Sequence, residues 1–185
     1  MNLPNLLTLS RIIMIPLMVV CFYWIEPYGK IWAAVLFSIA AITDWVDGYL
    51  ARRLNQTTPL GAFLDPVADK LIVSVALIVL VETFATPWLT IPAAIIVGRE
   101  IVISALREWM AELGKRANIA VSYIGKVKTT LQMASIIILL AAELHAWLLV
   151  LGYVALYGAA LLTLWSMLVY LHAAWPELRG RSDKN

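Results

Sequence analysis

The chain has 185 residues, of which 62% are hydrophobic and only 14% charged, a balance that excludes an ordinary soluble globular domain. Its net charge of +2 says little about partners, and no nucleic acid is expected among them. The length suits a single domain over 1–185, with the bilayer as its solvent.

Apolar stretches long enough to cross hydrocarbon, which takes roughly 17–25 helical residues, run over about 12–25, 31–50, 62–81, 88–106, 120–142 and 147–172. They predict an all-α integral membrane protein with six transmembrane helices. The first stretch is short and bounded by Arg11. It lacks a small-residue cleavage site and is read as a retained helix rather than a signal peptide, with Cys21 as a buried structural thiol. Trp24, Trp32, Trp88, Trp147 and Trp175 fall near the predicted helix ends, where an indole prefers the headgroup region. The segment 173–185 turns polar and is read as a tail that leaves the membrane.

The Lys and Arg residues between the predicted spans fall mostly on one side, the other receiving Lys30 with Glu26, Glu82, Glu143 and His145. Arg52 and Arg53, Lys115 and Arg116, and Arg179, Arg181 and Lys184 share the more basic side if the amino terminus is cytoplasmic. The positive-inside bias then puts both termini in the cytoplasm. His145 and His172 stand apart from every acidic cluster and are read as interfacial. No Cys/His metal spacing, glycine-rich nucleotide fingerprint or nucleophile elbow occurs.

The second and third spans carry the informative residues. Asp44 and Asp47 are three apart, Asp65 and Asp69 four apart, so each pair shares one helix face. Antiparallel packing across the short loop brings the pairs to a similar depth. Each intramembrane Asp costs roughly 2.5–3.5 kcal/mol on insertion scales, and Lys70 and Arg52 offset only part of that. Hard divalent cations bound to carboxylate oxygens remove the conflict. An ion path in a cation- or proton-coupled transporter is the competing account of the acids. It leaves the small residues Gly48, Ala51 and Gly61, next to a basic side chain, unexplained.

The run Asp44-x-x-Asp47-Gly48-x-x-Ala51-Arg52, eight residues, Gly61-x-x-x-Asp65-x-x-x-Asp69 resembles the complete signature of the CDP-alcohol phosphotransferase family. The resemblance implies an enzyme that transfers a phosphatidyl group from CDP-diacylglycerol to an alcohol and releases CMP. It implies two divalent cations, Mg²⁺ or Mn²⁺, one held by Asp44, Asp47 and Asp65 and the other by Asp44, Asp65 and Asp69. Asp69 resembles the general base, and Gly48 and Arg52 resemble nucleotide-binding positions. Ala51 and Gly61 would admit the nucleotide by their small size, and Thr58 is a candidate contact or a plain polar loop residue. Asn5 and Thr8, opening the first span, are candidates for the same CDP-diacylglycerol pocket, Asn5 alternatively as a helix cap. Arg11 reads more readily as a snorkelling anchor.

The fourth span carries Arg99 and Arg107, eight residues apart on nearly one face, and the fifth opens with Lys126 and Lys128. Arg99 is open to an ion pair with Glu100 or an aspartate. The two lysines lie on different faces. Together the four basic residues outline a pocket for an anionic acceptor. The segments 99–109 and 125–130 resemble the branch of the family whose acceptor is glycerol 3-phosphate, which implies phosphatidylglycerol phosphate as product. Another phosphorylated polyol is the alternative acceptor. The resemblance further implies a homodimer in the bacterial cytoplasmic (inner) membrane, among membrane lipids, with its active site near the cytoplasmic interface. Gly152 to Ala160 offer small residues for close helix pairing.

Overall fold

The structure is a computed structural model that describes residues 3–54, 58–113 and 123–179, with backbone alone at 3–4, 45, 47–54, 62, 123–124 and 176–178. Among the described residues six α-helices follow in chain order: α1 (Leu3–Trp24), α2 (Gly29–Leu54), α3 (Pro59–Phe84), α4 (Pro87–Glu112), α5 (Tyr123–Leu140) and α6 (Ala146–Leu178). A single 3-10 turn, Ala142–Leu144, joins the last two. No strand occurs among the described residues. Three of the helices, α1, α4 and α6, are long and apolar enough to cross a membrane on their own composition.

Local chemistry sets the helix starts. Thr58 and Thr86 stand in extended backbone just before Pro59 and Pro87, and proline is preorganised for the first helical position, where its missing N–H is no loss. Helix α3 ends at Ala85, whose left-handed backbone (φ 44°) lets its N–H close on the Val81 carbonyl. The turn between α1 and α2 is tight: a Cβ on Gly29 would lie 2.5 Å from the Cys21 carbonyl oxygen and 2.8 Å from that of Phe22. Only glycine permits that approach.

Helix α1 packs on α2 and α3, α5 on α6 and α2, and α4 on α6 and α3. The shared core includes Met18, Phe37, Leu77, Leu80, Ile96, Ile136, Leu140 and Leu156. The small residues of α6 are spent inside this bundle. A Cβ on Gly152 would meet Leu139 at 2.7 Å, one on Gly158 would meet Leu131 at 3.0 Å, and Ala159 and Ala160 are buried. They bring α6 close to α5, so their smallness already has an internal use.

The helices run further than the apolar stretches. Helix α1 starts at Leu3 rather than near 12, α4 continues to Glu112 rather than 106, and α6 runs to Leu178, into the segment read as a tail. In each case a hydropathy boundary was set by polar residues that the helix simply carries. Trp24, Trp32, Trp88, Trp147 and Trp175 are all exposed on the outside of the bundle, as expected of side chains facing lipid headgroups.

Candidate active site

The first half of α1 presents a polar stripe to the bundle. Asn5, Thr8 and Arg11 follow at intervals of three and are buried, and Ile15, Met18 and Cys21 continue the buried face in apolar form. Residues three or four apart lie above one another on a helix, so one face of α1 changes from hydrogen-bonding to apolar along its length. Helix α2 does the reverse: Ala33, Phe37 and Ala40 are buried, and Asp44 follows on the same face. Helix α3 places Asp65 and Asp69 on either side of Ala68, which is fully buried.

These three faces meet at Arg11. Its Nη1 donates to Asp44 Oδ1 at 2.7 Å and also to Asp69 Oδ1, and its Nη2 donates to Asp65 Oδ1 at 3.3 Å. The Arg11 side chain is 1% exposed, whereas those of Asp44, Asp65 and Asp69 are 39%, 45% and 40% exposed. The carboxylates thus have the guanidinium behind them and an open side in front. Thr8, one turn earlier, donates to Asp65 Oδ1 at 2.5 Å. A buried guanidinium needs partners, and three carboxylates supply them through the rigid fork that a lysine lacks.

Above this cluster, Thr58 donates to Asn5 Oδ1 at 2.7 Å and accepts from the Gly61 N–H at 3.1 Å. Thr58 is therefore the N-cap of α3, a position that satisfies a helix donor left without a helical partner. Gly61 is small for a packing reason. A Cβ there would lie 2.7 Å from Asn5 Oδ1. The side chains of Asp47, Gly48, Ala51 and Arg52 on α2 lie outside the described residues.

The second polar group lies on α4, α5 and α6. Glu100 Oε1 accepts from Arg99 Nη1 at 2.7 Å and from Lys128 Nζ at 2.9 Å. Arg99 Nη2 also donates to Ser166 Oγ at 3.2 Å. Two turns on along α4, Arg107 donates to the Tyr170 hydroxyl at 2.7 Å and stacks on its ring, 4.9 Å from the centroid. Ser166 and Tyr170 are four apart on α6, so Arg99 and Arg107 do share one face of α4. The lysines divide as their spacing requires: Lys128 is buried and Lys126 exposed. Lys70 turns away from its neighbour Asp69 and donates to Ser104 Oγ at 2.5 Å, and Ser104 in turn donates to the Glu100 carbonyl. That chain ties α3 to α4 beside the two groups.

Both groups occupy the same end of the bundle: the start of α1, α3 and α5 and the far end of α2, α4 and α6. The opposite end holds the pairs Tyr23 with Glu82 and Lys30 with Glu143. An apolar cavity of about 260 Å³ there is lined by Phe22, Leu80, Phe84, Leu140 and Leu149 among others, with none of the predicted site residues.

Sequence reasoning gave too small a role to Arg11, and it passed over Ser104, Ser166 and Tyr170. The Arg11 signal was present in the stripe 5, 8, 11, 15, 18. For Ser166 and Tyr170 no local signal exists, since their partners lie 67 and 63 residues away.

As they stand, no three His, Cys, Asp or Glu side chains among the described residues are spaced to hold a metal ion. The donor chemistry nevertheless suits one: Asp44, Asp65 and Asp69 are hard oxygen ligands already turned to one positive centre, which is what Mg²⁺ and Mn²⁺ require.

A family model described as CDP-alcohol phosphatidyltransferase matches residues 1–169. A protein of Salmonella choleraesuis named CDP-diacylglycerol–glycerol-3-phosphate 3-phosphatidyltransferase is 55% identical over 177 residues, covering 96% of this chain and 97% of its own length. Proteins of the same name from Shigella flexneri and Escherichia coli K12 are each 54% identical over the same shares.

Proposed function

The chain belongs to the CDP-alcohol phosphatidyltransferase family, and from that premise we propose that it transfers the phosphatidyl group of CDP-diacylglycerol to glycerol 3-phosphate. The products are phosphatidylglycerol phosphate and CMP. The observation that carries this reading is the 54–55% identity to enzymes of that name over 96% of the chain.

In this reading the acceptor's hydroxyl oxygen forms a bond to the phosphorus that bears diacylglycerol. The bond from that phosphorus to the bridging oxygen breaks, and CMP leaves with the electron pair. Asp69 accepts the hydroxyl proton, a role that requires a carboxylate within hydrogen-bond reach of the acceptor. Asp44, Asp47, Asp65 and Asp69 would hold two divalent cations, Mg²⁺ or Mn²⁺, whose charge offsets that of the pyrophosphate when bound. Asn5 and Thr8 border the nucleotide beside Gly48, Ala51, Arg52, Thr58 and Gly61. Arg99, Arg107, Lys126 and Lys128 face the acceptor's phosphate, with Arg99 and Arg107 offering planar forks to its oxygens.

All six helices cross the membrane in this proposal, with both termini and the active site on the cytoplasmic side of a bacterial inner membrane. The placement of the basic residues at the site end supports that orientation. The enzyme works as a homodimer among membrane lipids.

Purified protein in micelles with Mg²⁺ or Mn²⁺ should release CMP only when CDP-diacylglycerol and glycerol 3-phosphate are both present. Asp69→Asn should lower turnover by about 10²–10⁴-fold. Wild-type turnover in that variant would remove Asp69 from its role. Faster reaction with another phosphorylated polyol would reassign the acceptor, and cation flux in vesicles without CMP release would favour transport.

A further inference from the structure

The Arg11 guanidinium occupies the meeting point of α1, α2 and α3, and its three carboxylate partners are those that the proposed function assigns to divalent cations. We propose that Arg11 is a resident counter-charge of the acidic cluster: it holds Asp44, Asp65 and Asp69 together and competes with divalent cations for them. This rests on the metal reading above.

Two consequences follow from the charges. Carboxylates brought together on two adjacent helices repel one another, and one guanidinium offsets only part of the negative charge of Asp44, Asp65 and Asp69. Lys70, next to Asp69 in sequence, is engaged with Ser104, so among the described residues Arg11 carries the compensation. Without it the metal-free bundle loses the attraction that draws α2 and α3 onto α1. Conversely, a dication entering the cluster meets a fixed positive charge that is buried and confined by its own helix, and like charges at short range oppose each other strongly where water is scarce. Arg11 therefore lowers metal affinity while it stabilises the protein that has no metal.

An anchoring arginine would behave otherwise. Its loss would weaken the fold to the same degree with and without metal, and metal affinity would stay constant or fall. The two roles separate in one set of measurements on the full chain in detergent micelles. Mn²⁺ binding is followed by the loss of the free-ion electron paramagnetic resonance signal, and thermal unfolding is recorded in EDTA and in saturating Mn²⁺.

Arg11→Met is expected to bind Mn²⁺ more tightly than wild type, on the order of tenfold. Its unfolding midpoint should fall in EDTA and recover in Mn²⁺ by more than the wild-type midpoint rises. Arg11→Lys retains the charge but gives up the planar fork and should fall between the two, and it serves equally if the methionine variant does not survive purification. The proposal is overturned if neither variant binds Mn²⁺ more tightly than wild type, or if the loss of stability is equal in EDTA and Mn²⁺. Wild-type protein that binds no Mn²⁺ at all would overturn the metal reading itself, and this proposal with it.

Discussion

Replacing Glu100 by glutamine keeps the side chain's shape and removes the charge that two cations share. Lys128 is 3% exposed and has Glu100 as its carboxylate partner at 2.9 Å. Breaking a buried ion pair by removing one partner costs about 3–5 kcal/mol, because the other charge remains in a medium that cannot solvate it. Two features place Glu100→Gln at the low end of that range. Glu100 itself is 24% exposed, and Arg99 keeps its contact to Ser166. A loss of about 3 kcal/mol is expected, which in a chain of this size lowers the unfolding midpoint by roughly 6–12 °C.

The assay is thermal unfolding in one fixed detergent, run as a cycle with Lys128→Met and the double variant. Removing both charges restores a neutral contact, so the double variant should be more stable than the sum of the single losses by about 1.5 kcal/mol or more. A cycle that closes to within about 0.5 kcal/mol would refute the claim that Glu100 holds Lys128. The same variants measured for turnover should show a raised KM for glycerol 3-phosphate and an unaltered KM for CDP-diacylglycerol, because the proposed function has the perturbed cations face the acceptor.

Lys126→Met removes an exposed charge and should leave stability within about 0.5 kcal/mol of wild type while raising the KM for glycerol 3-phosphate; unchanged kinetics would make Lys126 a headgroup anchor only. In Gly61→Ala the new methyl would lie 2.7 Å from Asn5 Oδ1 and 3.2 Å from Thr58 Oγ1. Loss of the α3 cap costs about 1 kcal/mol, and a displaced Asn5 should raise the KM for CDP-diacylglycerol; a variant normal in both would show that Asn5 yields freely. Gly152→Val presses against Leu139 and Ile138 and should cost about 1–3 kcal/mol as an overpacked contact, read in the same unfolding assay. Equal stability would mean that α5 and α6 separate without penalty.

The order of the described helices was legible because long apolar stretches demand that every backbone polar group be satisfied within its own helix. Two helix starts, at Thr58-Pro59 and Thr86-Pro87, carry a local signal that the apolar stretches passed over. The ends were misjudged where polar or charged residues flank an apolar stretch that the helix outruns. Arg11 bounded the first predicted span, yet α1 continues for eight residues before it. Helix α4 likewise carries Arg107 and Glu108 inside its length.

The candidate site divides along the same line. Asp65 and Asp69 were visible as a pair because they lie about one helical turn apart, and so were the two faces of Lys126 and Lys128; of the other pair only Asp44 has a described side chain. What joins the pairs was not visible, since the partners of Arg11 lie 33, 54 and 58 residues away. Hydropathy scores each residue as though lipid were its only neighbour, so a charge in an apolar helix reads as an edge or an anchor. Inside a bundle the neighbour is another helix, and the same charge becomes most stable at the point furthest from lipid and water. Among the described residues Arg11 is the most buried of the charged side chains for that reason: carboxylates that lipid would reject supply what a guanidinium requires, and the guanidinium lets them remain together.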